Sequence, residues 1–222
     1  MTLYNFFKGV LKMPYYKNYA ASSGAVHNIN KHEKAVEDQL NANGFVSANL
    51  RARKGSSSPI SASDRDKAMT EPGFLLGIPN NSYVSQPCGT NNSPDFIVNS
   101  NNKLYFIECK SARDPRPVYN SGLPKKGYIY IFCSEKTNET TVYMGEDIVN
   151  DAQRTLIQEY KEKQASLTRQ LNEGLRELDS LQRGVDFYLR PMYGHKGGKE
   201  KTNYFTHQNR NSSEEKVLNY VS

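Results

Sequence analysis

Two carboxylates and one ammonium group, Asp95, Glu108 and Lys110, stand where a short hairpin would gather them. Asn101-Asn102 lies between two apolar runs, Asp95-Phe-Ile-Val98 and Leu104 to Ser111. Asn tolerates the positive φ that a two-residue hairpin turn demands. Such a turn pairs Ser100 with Lys103 and, counting outward, Asp95 with Glu108. Side chains alternate along a strand, so Glu108 and Lys110 share a face with Asp95 while Ile107 and Cys109 point the other way. Two opposed carboxylates repel unless a cation joins them. A divalent ion such as Mg²⁺, with Mn²⁺ as a substitute, suits carboxylate and water oxygens. With Lys110 to orient or polarise a water, these are the parts of a metal-assisted phosphodiester hydrolysis. The plainer alternative for the same residues is a salt-bridge cluster on an ordinary hairpin.

The elements that must position this trio follow from periodicity. His32 to Ala42 has the spacing of an amphipathic helix, stopped by Asn43-Gly44. Phe45 to Leu50 is expected as a strand and Arg51 to Asp66 as a Ser-rich, charged loop. Glu71 to Gly89, with three prolines, gives no assignment. Tyr128 to Ser134 and Thr140 to Met144 predict further strands. Asp151 to Gly184 predicts one long helix of about 50 Å. Its seam of Ile157, Tyr160, Gln164, Leu167, Leu171, Gly174, Leu178, Leu181 and Val185 is a heptad pattern with flaws at Gln164 and Gly174. The seam demands a partner, either a second copy or another part of the chain. The tail from Arg190 is polar and basic. The expected organisation is residues 1–150 as a core with an N-terminal arm and 151–222 as an extension, packed as one unit.

Composition narrows the function classes. A net charge of +6 favours polyanionic partners without requiring them. The three cysteines, Cys88, Cys109 and Cys133, are too few and too scattered for a disulfide framework, which points to a reducing compartment. The four histidines lack zinc-ligand spacing. Met1 to Tyr16 is interrupted by lysines and is not expected to be a signal peptide, and no run is long enough for a membrane span. A cytoplasmic protein with no membrane partner is the expectation.

Pro94-Asp95 followed by Glu108-Cys109-Lys110 resembles the PD-(D/E)XK nuclease superfamily, which includes most type II restriction endonucleases. Glu33 to Phe45 resembles the first helix of that family, as archaeal Holliday-junction resolvases also carry it. The resemblance spans roughly residues 31–134 and implies an α/β fold: a restriction-endonuclease-like mixed β-sheet flanked by helices. Here it would carry a long helix and a basic C-terminal extension. It implies Asp95 and Glu108 as catalytic metal ligands with the Cys109 backbone carbonyl, Lys110 as catalytic, and Glu33 reaching the same metal, with Glu37 as its substitute. It further implies double-stranded DNA as partner and a homodimer, because a two-fold protein matches a palindromic site.

Candidate phosphate and base contacts are Arg51, Arg53 and Lys54 at the loop mouth, and Arg113, Arg116, Lys125 and Lys126 after the catalytic strand. In the tail they are Lys196, Lys199, Lys201, Asn203, Gln208, Asn209 and Arg210. The length beyond the core favours a sequence-specific enzyme over a resolvase. Gly127-Tyr-Ile-Tyr130, Val142-Tyr-Met-Gly145 and Arg154 faintly resemble a GIY-YIG nuclease. A non-catalytic basic DNA-binding protein is the alternative of another class, opposed by carboxylates that would repel phosphate in the absence of metal.

Overall fold

The structure is a computed structural model and describes residues 2–16, 31–56, 58–90, 92–120, 122–189, 192–195 and 202–222. Its elements are α1 (Leu3–Val10), α2 (Lys31–Ala42), β1 (Val46–Ser47), α3 (Ala62–Thr70), β2 (Ser82–Ser85), β3 (Phe96–Ser100), β4 (Lys103–Ala112), β5 (Tyr128–Ser134), β6 (Glu139–Met144), α4 (Asp151–Glu177) and α5 (Arg210–Tyr220). The strands lie in sequence order in one mixed sheet. The pairs β2–β3, β3–β4 and β5–β6 are antiparallel; β1–β2 and β4–β5 are parallel. The architecture is therefore α/β, a six-stranded mixed sheet flanked by helices.

Asn101 and Asn102 adopt φ of 54° and 57°, the left-handed pair that a tight hairpin needs. The register that results sets Ser100 against Lys103 and Phe96 against Ile107. Alternation then divides the sheet. On one face Phe96, Val98, Ile107, Cys109, Ile129 and Ile131 pack under α1, α2 and α5. On the other, Ile97, Phe106, Tyr128, Tyr130, Phe132 and Tyr143 pack under loops and the segment around Tyr204. That second layer is held by hydroxyls as well as rings. Tyr119 Oη lies 3.0 Å from Tyr143 Oη and 3.1 Å from Tyr204 Oη. Buried tyrosines find partners in this way because an unpaired hydroxyl would be costly.

Several elements depart from the sequence reading. The strand expected over Phe45 to Leu50 pairs only at Val46–Ser47, since the chain turns at Leu50, whose N–H donates to the Ala48 carbonyl. The expected loop Arg51 to Asp66 contains the start of α3, whose first turn is capped by Ser61 accepting from the Asp64 N–H. That is the capping signature Ser-x-x-Asp, present in the sequence but hidden among other serines. Helix α1 is capped by Thr2 and buries Leu3, Phe6, Phe7 and Val10. The long helix stops at Glu177, seven residues before Gly184. Most consequentially, the polar tail ends in α5, whose Val217 and Leu218, with Val221 beyond it, join the core beside α1 and β6. Among the described residues no helix is long and apolar enough to cross a membrane.

Because α5 completes the helical layer, Leu218→Ala should cost about 2–4 kcal/mol, read as a lower urea midpoint at unchanged slope. Truncating the chain so that it lacks α5 should cause a larger loss, with exposed apolar surface detectable by dye binding.

Candidate functional site

The β3–β4 register brings the carboxylates to one place. Asp95 immediately precedes β3, and Glu108 and Lys110 sit on β4 on the aromatic face of the sheet. Lys110 Nζ lies 2.7 Å from Glu108 Oε1, and Glu108 is buried. Across β5, Tyr130 is the partner of Glu108 and Phe132 that of Lys110. Asp95 is fixed at both oxygens: its Oδ2 accepts from the Cys109 N–H at 2.7 Å, and its Oδ1 accepts from Gln86 Nε2 at 3.1 Å. Cys109 therefore enters the site through its backbone, while its thiol lies buried on the helical face, pushed well above its ordinary range by that burial.

Gln86 was not legible from spacing. It lies just past β2, in the stretch that gave no assignment, with φ of 48°. A non-glycine residue there costs on the order of 1 kcal/mol. The strain is offset by contacts: its N–H donates to the Asp95 carbonyl at 2.7 Å, and its Nε2 also donates to Glu33 Oε2 at 2.6 Å. Gln86 thus ties the first turn of α2 to Asp95 and brings Glu33 to the trio. Glu37, the substitute, instead accepts from Tyr83 Oη at 3.2 Å. Arg65, also missed, is buried and donates through Nη1 to the Ser93 carbonyl at 2.9 Å, bracing the approach to Asp95.

The electrostatics are those of crowded like charges. Burial, then the negative charges of Glu108 and Glu33, push the Asp95 carboxyl up to about 7. The Cys109 N–H and Lys110 oppose this. Gln86 Oε1 is buried without a hydrogen-bond partner among the described residues. An orphan amide oxygen beside carboxylates completes an all-oxygen donor set, the kind a hard divalent cation takes. Among the described residues, no three or more His, Cys, Asp or Glu side chains are already gathered in coordinating geometry. Lys110 and Gln86 hold the carboxylates instead.

The expected nucleic-acid contacts divide. Arg51, Lys54 and Arg113 are exposed and make no ion pair among the described residues. Arg53 is exposed but donates to the hydroxyls of Ser56 and Ser58. Arg116 is half-buried, 3.7 Å from Asp114. Lys125 is half-buried over the Tyr128 ring, its ammonium pushed down by burial and by Arg65. Lys126 pairs with Asp151 at 2.9 Å. In the tail, Gln208 and Asn209 are exposed. Lys196, Lys199 and Lys201 lie outside the described residues. Two tail residues have partners within the chain. Arg210 is committed to Glu139 and Glu214 at 2.7 and 2.8 Å, because α5 packs beside β6. Asn203 Oδ1 accepts from the N–H groups of Phe205 and Thr206, closing a turn. As for the second nuclease resemblance, Tyr128 is buried against Phe106, and Arg154 donates to the Gly145 carbonyl. Packing accounts for both.

Comparison with family models, curated proteins and solved structures finds no match for this chain.

The raised Asp95 carboxyl has a stability consequence. An unfolded Asp loses its proton near about 4. Below that pH both states are protonated and Asp95 exacts no penalty; the penalty grows as pH rises to about 7 and is constant above. Without added metal, Asp95→Asn should match the wild type at pH 4 and melt about 2–8 °C higher at pH 8. Millimolar Mg²⁺ should narrow that gap by stabilising the wild type. Equal melting at pH 8 in metal-free buffer would show that Asp95 carries no such penalty.

Proposed function

We propose that this chain is a Mg²⁺-dependent endonuclease of double-stranded DNA, acting in the manner of a type II restriction enzyme. The observation that carries the reading is the convergence of Asp95, at the mouth of β3, with Glu108 and Lys110 on β4, joined by Glu33 through Gln86. The order of elements supports it too: a helix bearing Glu33, an antiparallel hairpin bearing the Asp and the Glu-Cys-Lys, then a parallel strand. That is consistent with the resemblance to the PD-(D/E)XK superfamily.

Asp95, Glu108 and Glu33, with the Gln86 amide oxygen or the Cys109 carbonyl, would hold the ion. When bound, a divalent cation acidifies water and neutralises charge on the scissile phosphate. The protein's own groups do the rest. The Cys109 N–H and Gln86 fix the Asp95 carboxylate, so little reorganisation is needed when charge develops. Lys110 holds an ammonium beside Glu108, where it can hydrogen-bond the attacking water or a phosphate oxygen. The water oxygen bonds to phosphorus as the phosphorus–oxygen bond to the leaving sugar breaks. Of the water's two protons, one is matched by the proton that the leaving sugar oxygen gains, and the other stays on the new phosphate monoester or passes to bulk solvent. Arg51, Lys54 and Arg113 supply exposed positive charge for the flanking backbone.

Supercoiled plasmid incubated with the full chain tests this. Cutting is expected with Mg²⁺ or Mn²⁺ and not in excess EDTA, with Ca²⁺ supporting binding but little cleavage. Asp95→Ala and Lys110→Ala should each lower the rate by about 10²–10³-fold or more, without loss of folding. Sequencing the cut ends separates site-specific from non-specific cleavage. Robust cutting in EDTA, or by Asp95→Ala at the wild-type rate, would overturn the assignment. Mg²⁺-independent binding with no cutting would favour the non-catalytic alternative.

A further inference from the structure

We propose that α4 pairs antiparallel with the α4 of a second copy of this chain, about a two-fold axis at Arg169. The helix has 27 residues, about 40 Å at the usual rise, and none of them is buried. Leu167 is 65% exposed and Leu178 83%. Most large apolar side chains left exposed among the described residues fall between 156 and 192. The chain that follows does not cover them. It runs back along one flank, where Asn172 holds both the N–H and the carbonyl of Phe187 and Arg176 pairs with Asp186. Phe187 and Tyr188 remain exposed there, so the apolar strip is widened. A strip of this extent is what an interface leaves when its partner is missing.

The sequence of the strip selects the partner. Along Tyr160, Gln164, Leu167, Leu171, Gly174 and Leu178, the flaws are a long polar residue and a missing side chain. Parallel self-pairing would set Gln164 against Gln164 and Gly174 against Gly174, crowding one layer and emptying another. Antiparallel pairing about Arg169 sets Tyr160 against Leu178, Gln164 against Gly174 and Leu167 against Leu171. Gln164 then fills the open space beside Gly174, leucine meets leucine next to the axis, and two-fold symmetry repeats the match on both sides of it. The flanks agree. Lys163 comes to face Glu177, twice per dimer, whereas in parallel register its neighbour would be the uncharged Thr168. Arg169 lies on the far side of the helix from the seam, so its meeting at the axis brings no like charges together. This pairing does not rest on the nuclease reading, and its failure would leave that reading untouched.

Sedimentation of the full chain at micromolar concentration should show a dimer without DNA. Leu167→Asp with Leu171→Asp should give a monomer that keeps the cooperative melting of the sheet core, since both side chains are exposed in the single chain, with any loss of helical circular dichroism limited to what α4 contributes. Lys163→Glu should weaken the dimer about tenfold, and adding Glu177→Lys should restore it. Orientation is read by disulfide trapping. Gln164→Cys and Gly174→Cys, purified separately, should cross-link when mixed and oxidised, and neither should cross-link alone. A wild type that is monomeric throughout, or a dimer untouched by the paired Asp substitutions, would overturn the proposal. So would Gln164→Cys linking to itself, the parallel result, or a Lys163→Glu dimer as tight as the wild type.

Discussion

A two-residue turn in which both residues hold left-handed φ fixes everything that follows on β3 and β4. Asn101 and Asn102 leave no slack, so the pairing from Ser100–Lys103 to Phe96–Ile107 is set by the turn alone. A slip of one residue would send Glu108 and Lys110 to the helical face and Ile107 and Cys109 to the polar one. The hydrophobic core under α1, α2 and α5 and the carboxylate cluster opposite it are thus two consequences of one register. Neither can move without the other.

The cluster sits at a point of electrostatic frustration that the fold maintains. Burial and neighbouring carboxylates both work against ionised Asp95, yet its two oxygens are pinned by a backbone N–H and by Gln86. Gln86 itself holds a backbone conformation that most residues avoid. Structures keep such arrangements where the surroundings over-determine them, and such places are often functional. Arg65 braces the same region from behind, through the Ser93 carbonyl. The site is therefore a set of side chains fixed before anything binds, which is the condition for electrostatic stabilisation without reorganisation.

The molecule distributes its apolar surface unevenly. The sheet is covered on both faces, and even the C-terminal helix spends Val217 and Leu218 on the core. Beyond residue 150 the long helix spends none of its own. A helix whose apolar seam stays largely exposed in the described chain draws little stability from packing, and isolated helices of ordinary sequence are marginal in water. Its length and regularity make physical sense as half of a larger structure.

Local periodicity and turn chemistry determined much of this protein. They fixed the hairpin register, the shared face of Glu108 and Lys110, strands β5 and β6, helix α2 and the heptad spacing of α4. These depend on residues close in the chain, whose spacing sets which way each side chain points. The short α1 and α3 carried capping signals that were there to be read, at Thr2 and Ser61. Only the tertiary structure decided the rest. Gln86 reaches Glu33 across more than fifty residues, Arg210 meets Glu139 across about seventy, and α5 returns from the end of the chain to the first helix. No repeat or spacing encodes such meetings. They arise because the sheet, once formed, has two faces to cover, and whichever distant segments cover them bring their polar groups along.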